Sequence, residues 1–167
     1  AQGPPEGAEA RRPRRRLTPR REFARLVPSG GALGKVVEGD LEVEPGIRLY
    51  WRVAGEGPLF IADLGTTRAY LNEDQHFPGW VFVVLKRHAV ELYDLEARER
   101  AALIEEVNRV SQALARVYRP VKMNYELLGN QVPHIHWHLV PRLPGDPEPR
   151  WPVWRVPHDP TPLPDRE

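Results

Sequence analysis

The chain contains no cysteine and a single methionine. Disulfides and thiolate zinc sites are thereby excluded, and the composition fits an intracellular setting. Long apolar runs are also missing. No stretch approaches the ~20 residues needed to span a bilayer, and no charged-then-apolar leader stands at the start. A cytoplasmic protein without membrane contact is expected. Lysine is scarce: of 24 basic residues only Lys35, Lys86 and Lys122 are lysines. That reads as compositional bias rather than function. What remains, 167 residues of net charge +1, is enough for one domain with a single core.

The charge is unevenly spread. Arg11, Arg12, Arg14, Arg15, Arg16, Arg20 and Arg21 crowd one short segment. Residues 1–20 combine Gly, Pro and Arg with almost no apolar content, so they cannot bury enough surface to offset their ordering entropy, and a disordered tail is expected. The basic run could touch nucleic acid or acidic lipid; a solvated tail is the simpler reading. The last 25 residues hold eight prolines together with Trp151 and Trp154. Residues 146–167 are expected as an extended tail pinned by its tryptophans. The globular part should span residues 21–145.

Within that part, β-branched and aromatic runs predict strands over 47–53, 59–62, 68–72 and 79–85. The last of these is the most strongly β and should be central. Leu103, Val107, Val110, Leu114 and Val117 recur at spacings of four and three, which predicts one helix over 95–118. Asp94 is expected to cap its start and Pro120 to stop it. Strands over 123–128 and 132–140 follow, with Gly129-Asn130 as a tight-turn signal between them. Strands, one helix, then strands indicate an α+β domain with a mostly antiparallel sheet of five or more strands.

The densest signal is His134-Ile135-His136-Trp137-His138-Leu139-Val140-Pro141-Arg142. In a strand, successive side chains point to opposite faces, so the three imidazoles would share one face, spaced roughly 7 Å apart, with Ile135, Trp137 and Leu139 on the other. Three readings compete. Alternating histidines can hold zinc, although no acid lies nearby in sequence to support them as ligands. They can be ordinary polar strand residues, which strict alternation of three among only six histidines makes hard to sustain. Or a neutral imidazole can attack phosphorus and form a covalent phosphoramidate, with its neighbours handling phosphate oxygens and the leaving-group proton. Asn130 and Gln131 could supply neutral donors to the phosphate.

The segment from Gly129 to Arg142 resembles the signature of the histidine triad (HIT) family of nucleotide hydrolases and transferases, His-φ-His-φ-His-φ-φ with φ apolar. The resemblance extends upstream through Asn72, the run from Phe77 to Leu85, and Tyr93-Asp94-Leu95, and so covers roughly residues 60–142. It is closest to the Fhit-like and bacterial dinucleoside-polyphosphate hydrolase branch.

The resemblance implies a HIT-like fold, a meander-like antiparallel sheet with helix packed on it, usually paired as a homodimer. It implies His136 as the nucleophile, with His134 and His138 supporting it. Gln131 falls where the family places a phosphate-contacting side chain, and Asn72 matches a ribose-binding position. A further phosphate-binding Asn or Gln lacks an obvious equivalent, with Asn130 or Asn124 as its stand-in. The implied substrates are dinucleoside polyphosphates, adenosine favoured. The scheme needs no cofactor, although a divalent metal could accompany the polyphosphate. A phosphorylase or nucleoside phosphoramidase on the same site, and a non-catalytic nucleotide sensor, stay open. His76, His88 and His158 match no family position and are expected on the surface.

Overall fold

The computed structural model describes residues 59–162. The expected strand at 47–53 and the basic segment lie outside them. Five strands form one antiparallel sheet: β1 (Phe60–Asp63), β2 (Thr67–Leu71), β3 (Val81–Leu85), β4 (Lys122–Glu126) and β5 (His136–Arg142). Their spatial order is β1-β2-β3-β5-β4. The first three run as a meander; the chain then crosses in a single helix, α1 (Ala97–Tyr118), to the far edge, and β5 returns between β4 and β3. The expected central strand is central, and all five residues of β3 are buried.

One face of the sheet is covered by α1. Val107, Val110, Ala113 and Leu114 pack on Ala69, Val81, Val83 and Leu139. These strand residues sit at every second position, as period-two alternation requires, and the helical ones at three- and four-residue spacing. Two buried polar residues interrupt this helix face: Ser111, whose hydroxyl donates to the Val107 carbonyl, and Glu106, 3% exposed. Its carboxylate accepts hydrogen bonds from the backbone N–H groups of Thr66 and Thr67 and from both threonine hydroxyls. It thereby ties the β1–β2 turn to the helix.

Two boundary expectations are corrected. Asp94 does not cap α1. The helix starts after Glu96, which makes no side-chain cap bond, while the Asp94 carboxylate accepts from the Glu91 N–H and closes a separate 3-10 turn at Leu92–Asp94. A carboxylate two residues too early satisfies the nearer donor. At the other end Arg119 adopts φ 49° and its N–H reaches the Ala115 carbonyl. Pro120 disfavours the helical conformation in the residue before it and stops the helix as expected.

The second correction concerns β5. It begins at His136, four residues later than expected, and runs on to Arg142. Pro133 has no N–H to give a ladder, and the His134 N–H turns back to the Val132 carbonyl. Gly129, at φ 70°, does not make a two-residue hairpin with Asn130; the whole segment 127–135 connects β4 to β5.

The proline-rich C-terminal segment folds back over the sheet. Arg142, 2% exposed, organises it. Its guanidinium pairs with Asp146 at 3.0 Å and donates to the Trp151 carbonyl at 2.7 Å and to Asn124 Oδ1 at 3.2 Å. Val153 and Val156 then pack with Phe77, Trp80 and Val140 in a small second core. Among the described residues no helix is long and apolar enough to cross a membrane.

Candidate active site

The face of the sheet away from α1 carries the histidines. The register places Phe82 and Glu126 on either side of His138, and Tyr70 beyond Phe82. Opposite residues in adjacent strands point the same way, so Tyr70, Phe82, His138 and Glu126 form one row across the sheet. His136 lies in the next row, beside Val84. The His136 and His138 rings meet edge to face at 5.0 Å. His134 stands before the strand; its ring reaches the end of β3 and stacks on the exposed His88 at 5.6 Å. His134, His136 and His138 are all buried.

Each ring has one nitrogen fixed by a partner of known polarity, which assigns the neutral tautomers. A carbonyl only accepts, so His134, 2.8 Å from the Leu85 carbonyl, carries its proton on Nε2. His136 Nδ1 lies 2.8 Å from the His134 carbonyl and is likewise protonated. Its Nε2 is then an unprotonated lone pair. An indole N–H only donates. Trp80 Nε1 lies 3.3 Å from His138 Nδ1, so that nitrogen accepts and the His138 proton sits on Nε2.

Burial keeps the rings neutral. Desolvation pulls His134 down to about 4 against the opposing bond to the Leu85 carbonyl. It pulls His138 to about 3, helped by the neighbouring His136. His136 is also lowered by burial, partly offset by its bond to the His134 backbone. The centre therefore offers an uncharged imidazole lone pair at neutral pH, the form that attacks an electrophile.

The other residues singled out from the sequence are dispersed. Asn130 and Gln131 are exposed in the segment leading to β5. Asn72 follows β2 and donates its backbone N–H to the Trp80 carbonyl. Asn124 lies on the histidine face but is bonded to Arg142, beyond the His138 row and away from His136. Of the remaining histidines, His88 is exposed, while His158 bonds Asp74 at 2.9 Å and stacks on His76. Among the described residues no three His, Cys, Asp or Glu side chains converge as a metal-ligand set.

Three residues at the site carry no signal in the triad motif itself. Trp80 is presented by a turn in which Gly79 adopts φ 85°, where a Cβ would come within 2.5 Å of the Tyr118 ring. Trp154 arrives on the C-terminal segment and meets His138 at 4.9 Å and Trp80 at 5.2 Å. Glu126 accepts the Trp154 indole N–H. Two tryptophans in a proline-rich tail were a sequence hint that the tail packs, but not where.

A model of the HIT domain matches residues 59–145, just over half of the chain. The chain is 31% identical over 83 residues to a bis(5'-nucleosyl)-tetraphosphatase (asymmetrical) of Schizosaccharomyces pombe, covering 47% of this chain and 46% of that protein. It is 32% identical over 101 residues to an AP-4-A phosphorylase of Mycobacterium tuberculosis, covering 57% and 52%. The match thus spans about half the length of each of these two relatives. Among solved structures, a histidine triad protein of Bradyrhizobium japonicum superposes with a TM-score of 0.59 at 36% identity, covering 63% of this chain and 78% of that one. The matched domain holds all five strands, the helix and the three histidines, and on that extent of agreement the chain belongs to the HIT family.

Proposed function

We propose that the protein is a nucleotidyl-transferring hydrolase that cleaves dinucleoside polyphosphates, adenosine favoured, through a covalent nucleotidyl-His136. One observation carries the reading: His136 donates Nδ1–H to the His134 carbonyl, which leaves Nε2 as a buried, unprotonated nucleophile. In the first step Nε2 attacks the α-phosphorus. A P–N bond forms, the P–O bond to the second nucleotide breaks, and that phosphate departs with its electron pair. In the second step water attacks the same phosphorus, the P–N bond breaks, and a proton from water is released as the imidazole leaves neutral.

The supporting roles differ. The Nε2–H of His134 is bonded to the Leu85 carbonyl, so His134 acts chiefly through its own backbone carbonyl, which orients His136. His138 keeps its N–H donor on Nε2 for a phosphate oxygen, the kind of fixed dipole that stabilises developing charge. Asn72, Asn130, Gln131 and Asn124 are proposed substrate contacts on the family resemblance. The similarity to an AP-4-A phosphorylase supports a second reading, in which inorganic phosphate replaces water as acceptor. The edge strand β4, which carries exposed Tyr125 and is flanked by exposed Val121 and Leu128, is consistent with a homodimer.

The test is brief mixing with diadenosine tetraphosphate followed by intact-protein mass spectrometry. The wild type should gain one adenylate transiently and His136→Gly should gain none. Binding without adduct or product from the wild type would replace the enzyme by a nucleotide sensor. ADP rather than AMP as the second-step product in the presence of phosphate would select the phosphorylase.

A further inference from the structure

We propose that Trp80 and Trp154 are positioning residues: Trp80 sets the tautomer of His138, and Trp154 clamps that imidazole from the C-terminal segment. The inference rests on the nucleotidyl-transfer reading for its effect on rate, and on geometry alone for its effect on His138.

Among the described residues, the ring bonds of His134 and His136 go to backbone carbonyls and that of His138 goes to a side chain. His134 and His136 are each set by a main-chain oxygen that no substitution removes. His138 depends on the indole of Trp80. Because that indole only donates, it accepts one tautomer and rejects two other states. The Nδ1–H tautomer would put hydrogen against hydrogen. So would the imidazolium, and Trp80 therefore acts in the same direction as burial in keeping His138 neutral. The consequence is chemical: Nε2 of His138 is a donor, available to a phosphate oxygen, and not a competing nucleophile beside His136.

Trp80 is placed to do this with little freedom. Gln75 donates to the Asn72 and Trp80 carbonyls and accepts the Gly79 N–H. The Trp80 ring is buried against Phe77, Val140, Val153 and Val156. Rotation of the His138 ring is limited by two further aromatic edges, Phe82 at 4.7 Å and Trp154 at 4.9 Å. Trp154 is half exposed and owes its position to three ties. Its N–H is held by Glu126, the cross-strand neighbour of His138. Val153 and Val156 on either side are anchored in the second core. Arg142 holds the Trp151 carbonyl just upstream. The segment that looks like a tail in sequence is thereby part of the wall around the third histidine.

The experiment reads the imidazole nitrogens of the full chain by long-range 1H–15N correlation, beside steady-state kinetics with diadenosine tetraphosphate. Wild-type His138 should show protonated Nε2 and unprotonated Nδ1. Trp80→Phe keeps a ring but removes the donor; it should yield mixed or inverted His138 tautomers and a fall in kcat of roughly tenfold or more, with a smaller change in KM. Trp154→Ala should lower kcat with the tautomer retained, and Trp154→Phe should restore most of the loss. A wild-type His138 protonated on Nδ1 overturns the proposal without any variant. Unchanged His138 nitrogens in a folded Trp80→Phe also overturn it. If the wild type shows the Nε2–H tautomer but forms no adenylate adduct, the catalytic reading fails and the tautomer assignment stands.

Discussion

The two faces of one sheet are built from the same strands on opposite principles. The face under α1 is filled by aliphatic side chains whose attractions are numerous, weak and undirected. The histidine face has smaller apolar clusters of its own, Tyr70 with Phe82 and Val84 and the second core around Trp80, and adds a few bonds, each with a donor, an acceptor and a direction. His134 to Leu85, His136 to the His134 carbonyl and Trp80 to His138 are single bonds of 2.8, 2.8 and 3.3 Å. Trimming an aliphatic side chain on the first face weakens packing that many neighbours share; breaking a bond on the second changes which nitrogen carries a proton. Stability should therefore reside mainly on one face and chemistry on the other.

Paired substitutions give the largest test. His136→Asn should reduce turnover by about four orders of magnitude or more, as expected when a covalent nucleophile is removed, while shifting the denaturation midpoint little. Leu114→Ala, at a site 1% exposed in the opposite core, should cost about 2–5 kcal/mol and leave kcat per folded molecule near wild type. The pair is read by urea titration beside active-site-normalised kinetics. Loss of stability in the first or of kcat in the second would erase the distinction between the faces.

Acid should sharpen the comparison next, because the buried imidazoles lie on the histidine side of the sheet. Their folded pKa values are depressed, to about 4 for His134 and about 3 for His138 from 6.5. The unfolded chain therefore binds more protons than the native one as pH falls below 6.5, and stability falls with it. The contribution is fully present above the unfolded value and is lost progressively toward pH 3. A Tm series from pH 7 to pH 4 should slope downward, and the slope should shrink in a His138→Gln variant. A flat series in the wild type would mean that the rings are not buried as neutral groups.

The contrast also explains what could be read from the sequence. Period-3.6 spacing placed α1 to within two residues at its start, the unbroken apolar and β-branched run placed β3 as the central strand, and the order of elements indicated the antiparallel class of the sheet. The alternation of His134, His136 and His138 with large apolar residues marked the candidate site. The pattern could not report the partners of single directed bonds. Trp80 lies 58 residues from His138 in the chain, and Glu126 lies 28 from Trp154. Neither spacing has a periodicity to betray it. The same limit explains the start of β5: alternation extends back to His134, but Pro133 and the turn-back of the His134 N–H end the ladder first.

A carboxylate on the helix face supplies a smaller effect, and an exception to the rule. Glu106 makes directed bonds in a mostly apolar setting, accepting from four donors on Thr66 and Thr67. Glu106→Gln keeps the shape but replaces one accepting oxygen by an NH2 that faces donors. The cost should be about 1–3 kcal/mol, measured by urea unfolding, with kcat unchanged. A neutral result would show that the β1–β2 turn holds itself.

The smallest expected effect lies at the outer end of the C-terminal segment, where His158 meets Asp74 at 2.9 Å and stacks on His76 at 4.2 Å. The Val156 carbonyl, Asp74 and the charge of Asp159 raise the His158 pKa, against some desolvation. Burial alone would raise Asp74, but the bonds from Thr161, His76 and His158 outweigh it and hold its carboxyl low. The signs are opposite. The His158 contribution is complete below its unfolded pKa and lost as pH rises through the folded one. The Asp74 contribution is present above its own unfolded pKa and lost as pH falls. Their overlap is a window of mildly acid pH in which the segment is held most firmly. A pair this near the surface contributes about 1 kcal/mol at most. His158→Ala should therefore leave global unfolding almost unchanged, yet hasten amide exchange at Thr161, whose N–H is bonded to Asp74. Equal exchange in both proteins would mean that Val153, Val156 and Arg142 suffice to hold the segment, with the ion pair adding nothing.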